Sequence, residues 1–158
     1  MARLVMIRSA LIAAMLLFSA QAHELRGKVV GVHDGDTMTL LVDKVEHKIR
    51  LDAIDAPEAK QAFGEASRKS LAAMIAGKQA VVEWQKKDRY GRIIGRVSVG
   101  GTEVNVLQVA YGMAWHFKEY NKEARFANAE STARQRKIGL WQDAAPVAPW
   151  EFRKQVKK

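Results

Sequence analysis

Cysteine is missing from all 158 residues. The chain therefore gains no stability from disulfides, and it cannot be a thiolate metal site, a thiol-dependent enzyme or a lipoprotein anchored through cysteine. Histidine is scarce too, and none of the four is paired at metal-ligand spacing, which argues against zinc. Acidic residues are outnumbered, 17 against 26 lysines and arginines, for a formal charge of +9. That surplus admits a polyanionic partner, but charge alone serves nucleic-acid binding and simple solubility about equally. Internal repeats and low-complexity linkers are absent.

Long apolar runs are also missing, with one short exception. Leu11 to Phe18 follows Arg3 and Arg8 and leads into Ala20-Gln21-Ala22, the small-x-small pattern that a signal peptidase reads. The run falls short of the ~20 residues a membrane span requires, so residues 1–22 are expected to be a signal peptide cleaved after Ala22. The product would be exported, periplasmic or secreted, with no stable membrane association. Losing Arg3 and Arg8 takes the charge from +9 to +7, so the remainder stays basic. At that size a chain hides roughly two-thirds of its unfolded surface, enough for one self-sufficient core.

Three stretches rich in Val, Leu, Ile and Thr predict strands over residues 27–32, 37–42 and 45–51. Asp34-Gly35-Asp36 and Asp43-Lys44 supply the turns of an antiparallel meander. An alanine-rich helix is expected over residues 64–76, then strands around Ala80, Val82 and Trp84 and over residues 92–99. Helices are expected over residues 103–110 and 122–137. The sum is an α+β chain, mainly a five-stranded OB-fold barrel with about three helices, spanning residues 23–142. Residues 143–158, with Pro146, Pro149 and a basic end, read as a loosely packed extension.

Fold does not give function, and side chains must decide. Asp36 opens one strand and Asp55 follows the end of another, so a curled barrel can bring both carboxylates to one mouth. Two such oxygens suit a hard cation; calcium fits their loose geometry and magnesium stays open. Glu58, past the turn made by Pro57, is placed to orient or deprotonate an attacking water. Arg50 and Arg92 carry planar, permanently charged forks that match the equatorial oxygens of a phosphodiester transition state.

Three clusters, Asp34-Gly35-Asp36-Thr37, Arg50 through Glu58, and Asp88-Arg89-Tyr90-Gly91-Arg92, resemble the signature of the staphylococcal (micrococcal) nuclease family in order and separation. The resemblance runs from about Val29 to Trp141. It implies one calcium ion held by Asp36, Asp55 and the backbone carbonyl of Ala56, and catalysis by Arg50, Glu58 and Arg92. It further implies cleavage of both DNA and RNA to 3′-phosphates, with single strands favoured, by a monomer. Arg89 and Tyr90 would then contact a phosphate and a base, and Trp115 and Phe117 stand where the family places two aromatic substrate contacts. The sequence departs from the family's best-known member at Ala56, where a threonine is usual, and in a shorter segment between Glu58 and Gly64.

Plainer roles compete at other positions. Asp52 is expected to cap backbone donors at a strand end, Asp34 to support its turn, and His33 and His116 to serve packing or surface roles. Trp84, Trp141 and Trp150 are expected to anchor core or tail. A nonenzymatic oligonucleotide-binding barrel is the main rival, but such a module needs neither two arginines nor a glutamate beside paired carboxylates. A calcium-binding structural factor is a weaker one, since the EF-hand pattern of alternating oxygen ligands is not met.

Overall fold

The computed structural model describes residues 22–157. Of the expected signal segment only Ala22 falls within them. Strands β1 (His23–Val32), β2 (Thr37–Val42) and β3 (Val45–Leu51) form the meander, joined at its tip by Asp43 and Lys44, both with positive φ. That pair of left-handed residues matches the twist of a two-residue hairpin without the glycine that usually supplies it. After the two-residue strand β4 (Ile54–Asp55) comes helix α1 (Gly64–Ile75), then β5 (Gln79–Lys87) and β6 (Ile93–Val99). The sheet order β3-β2-β1-β5-β6 closes on itself through a parallel β3–β6 pairing, which completes the five-stranded barrel.

Closure removes the sheet edges and encloses Met38, Leu40, Ile49, Leu51, Val82 and Val97, all fully buried. Leu71 and Ile75 of α1 cap this core from one side. A short β7 (Thr102–Glu103) leads into α2 (Val104–Ala110), β8 (Trp115–His116) pairs with β4, and α3 (Ala124–Gln135) packs Phe126 into the same core.

Two buried amides of α2 knit the helix to the barrel. Asn105 accepts from the Val97 amide and donates to the carbonyls of Asp52 and Gly95, tying β6 to the turn after β3. Gln108 donates to the Gly35 carbonyl at 2.7 Å and accepts from Ser70 Oγ at 2.7 Å. Position 35 must be glycine here, because a Cβ would fall 1.7 Å from Ser67 Oγ. The Asp34–Asp36 loop is thus pressed against α1 and α2.

The tail departs from expectation. Residues 143–157 are not a loose extension: after a 3-10 turn (Gly139–Gln142), Pro149–Val156 forms a fourth helix, α4, docked on the barrel. Pro149 occupies its first turn, where a missing N–H costs nothing, so this proline starts a helix. Trp150 packs against Trp115 and Phe117, and Gln61 donates to the Val147 carbonyl at 2.6 Å.

Replacing Gln108 with leucine strands the buried Gly35 carbonyl, and is expected to cost about 1–3 kcal/mol in urea unfolding. An unchanged unfolding midpoint would show that the loop is held by other means.

Candidate active site

Hairpin register brings the site together. Thr37 pairs with Arg50, so Asp36 at the start of β2 lies beside the end of β3, and the Leu51 amide donates to the Asp36 carbonyl. The chain then turns through Asp52 and Ala53, the latter at φ 68°, and β4 doubles back to present Asp55 at the same rim. Asp36 and Asp55 are both nearly fully buried.

Arg50 sits between them. Its Nη2 lies 3.1 Å from Asp36 Oδ2 and 3.0 Å from Asp55 Oδ1, while Nη1 donates to the carbonyls of Leu51 and Ile54. One planar fork thus braces both acids and the turn between them, which only arginine can do. The Ala56 amide donates to Asp36 Oδ2 at 2.7 Å. Asp34 accepts from the Asp36 amide, and burial together with the neighbouring Asp36 charge pushes its carboxyl up to about 7. Burial likewise pushes Asp55 above the usual carboxylate range, against the pull of Arg153 and Arg50.

The second basic group at these acids comes from α4. Arg153 donates through Nη2 to Asp55 Oδ2 at 2.8 Å and through Nη1 to Glu58 Oε1 at 2.7 Å. Sequence reasoning missed it; the only signal was the basic run that begins there, just after a tryptophan. Glu58 itself is partly exposed, with its backbone amide held by Gln61 Oε1.

Asp36, Arg50, Asp55 and Arg153 border a cavity of about 730 Å³ that they share with Arg89, Tyr90, Arg92 and Phe117; Glu58 is not one of its lining residues and is tied to it through Arg153. Arg92 is oriented by Asp88, whose Oδ2 accepts from Nε at 2.7 Å and whose Oδ1 accepts from the amides of Tyr90 and Arg92. Burial raises the Asp88 carboxyl, but the hydrogen bonds from Arg92 and Tyr90 outweigh it and hold the group below its ordinary range. The guanidinium of Arg89 lies over the exposed Tyr90 ring at 4.8 Å.

Trp115 requires a correction. Standing where the family places an aromatic substrate contact, it is instead buried between Trp141 and Trp150, with Arg134 over its ring, and is not among the residues lining the cavity. Its place in β8, paired with Asp55, turns the side chain away from solvent. Phe117, two residues on, does line the cavity. Asp52 caps the Ala53 amide and pairs with Arg96, His33 contacts Thr39 Oγ1, and buried His116 contacts Asn121 Oδ1.

The profile of the family described as staphylococcal nuclease homologue matches residues 48–143. A protein called ParB from Escherichia coli is 40% identical over 162 residues, covering 95% of this chain and 92% of its own. An uncharacterized endonuclease from the same organism is 42% identical over 131 residues, covering 82% and 86%. A micrococcal nuclease from Shigella flexneri is 37% identical over 163 residues, covering 96% and 94%.

A group whose folded-state pKa is depressed stabilises the fold above its unfolded value and ceases to as pH falls through the folded one. Asp88→Asn should therefore be less stable than the parent near pH 6, with the gap closing as pH drops below the ordinary value of 3.8. Urea unfolding at both pH values tests this; an equal gap would mean the Asp88 charge contributes nothing.

Proposed function

Because the chain belongs to the staphylococcal nuclease family, and is a phosphodiester hydrolase on that ground, we propose that it is a calcium-dependent, sugar-nonspecific nuclease that cleaves DNA and RNA to 3′-phosphate products. The observation that carries this reading is the meeting of Asp36 and Asp55 on one nitrogen of Arg50, beside a cavity lined with further arginines. Single strands are the favoured substrate, and the enzyme acts as a monomer. Its apparent signal segment directs it out of the cytoplasm, to the periplasm or beyond.

The residues present fit a hard cation. Asp36 Oδ2 and Asp55 Oδ1 each lie within 3.1 Å of Arg50 Nη2. They are therefore at most about 6 Å apart, near the span of a calcium ion with oxygen ligands at about 2.3–2.6 Å. Among the described residues no three His, Cys, Asp or Glu side chains form a ready-made cage, so the Ala56 carbonyl and water would complete the set. When bound, calcium supplies a positive charge that draws in a phosphate oxygen and eases ionisation of water.

The chain's own groups do the rest. Arg153 engages Glu58 Oε1 and leaves Oε2 without a protein partner among the described residues, so one oxygen is fixed while the other accepts a proton from water. Arg50 is locked by its carbonyl and carboxylate partners, and Arg92 by Asp88, so both meet the charge that grows on the equatorial phosphate oxygens without reorganising. Arg89 binds a flanking phosphate, while Tyr90 and Phe117 offer faces to bases without choosing among them.

Purified protein incubated with single-stranded DNA, duplex DNA and RNA should cleave all three in calcium, single strands fastest, and none in chelator. Cleavage that survives chelation would overturn the metal dependence. Glu58→Gln should lower kcat by roughly 10²–10⁴-fold with little change in strand binding, and equal losses in both would remove its role with water. Arg92→Lys should fold normally yet lose about 10²-fold or more in kcat; an unchanged rate would exclude Arg92 from the reaction.

A further inference from the structure

We propose that α4 forms the second bank of the nucleic-acid groove, with Lys154 and Lys157 holding phosphates of the strand that crosses the acidic site. This rests on the nuclease reading, and it concerns a helix outside residues 48–143, the stretch the family profile matches.

The helix is firmly seated. Ala148 and Pro149 are buried at its start, and the Trp150 ring lies parallel to Phe117, 5.5 Å between centroids and 3° between planes. Arg153 adds two ion pairs, to Asp55 and Glu58. These anchors fix the rotation of α4, and residues 154 and 157 border the same cavity as Lys86, Arg89 and Arg92 of the β5–β6 region. Two basic stretches from different elements therefore line one cleft.

The positive charge is not cancelled locally. Of the acids bordering the cavity, Asp36 and Asp55 are engaged by Arg50, Asp88 by Arg92 and Asp52 by Arg96. Lys86, Arg89 and Lys157 have no carboxylate partner among the described residues. Among the described residues Lys154 pairs only with Glu151, both well exposed, a contact that is cheap to exchange for a phosphate. Tyr90 and Tyr120 border the same cavity and are exposed at 68% and 66%. Cationic walls that track a backbone and flat rings open to unpaired bases are the features that hold a single strand.

The test measures binding of a labelled single-stranded oligonucleotide by anisotropy, in calcium, on a Glu58→Gln background so that the strand survives. Adding Lys154→Gln and Lys157→Gln should weaken binding on the order of tenfold at low salt and flatten the salt dependence by about 1.4, two single-strand phosphate contacts. Lys44→Gln with Lys69→Gln, which removes equal charge from residues that do not border the cavity, should change neither by a comparable amount. If both pairs behave alike, α4 is no part of the groove and the nuclease reading stands. If even the parent binds no strand, that reading fails and this one with it.

Discussion

A single guanidinium between two buried carboxylates sets the geometry on which the rest of the site depends. Arg50 reaches Asp36 and Asp55 with one nitrogen and the carbonyls of the intervening turn with another. Buried like charges are costly unless neutralised and hydrogen-bonded, so removing this arginine would leave Asp36 with no cationic partner among the described residues and Asp55 with Arg153 alone. The arrangement is a preorganised one: the packing of the barrel brings the acids together and Arg50 holds them there.

Around that centre, each functional group is held by a partner with no chemistry of its own. Asp88 aims Arg92, Gln108 grips the Gly35 carbonyl of the acidic loop, and Asn105 joins β6 to the turn that follows β3. Arg153 fixes one oxygen of Glu58. These contacts come from different elements, α2, α4 and the β5–β6 turn, so the site is only as rigid as their packing on the barrel.

Much of this was legible in the sequence. β-branched runs and turn residues placed the five barrel strands, and the convergence of Asp36 with Asp55 follows once the β2–β3 hairpin register pairs Thr37 with Arg50. Three features were not. α4 is short, charged, preceded by Pro146 and opened by Pro149, and its stability lies in contacts with residues far earlier in the chain, which no local period reveals. The burial of Trp115, which the family resemblance makes a substrate contact, depends on its β8 pairing with Asp55, a tertiary contact that turns it inward. The roles of Asn105 and Gln108 were hidden for the same reason: an amide on a helix looks like surface until its buried partners are known.

The central claim is that Asp36 and Asp55 act as one cation site braced by Arg50. Calorimetric titration of calcium into the protein and its Asp36→Asn and Asp55→Asn variants tests it directly. The account predicts one ion per chain in the parent and loss of most of the affinity in either variant. An ion bound with undiminished affinity by one of the two variants would contradict it.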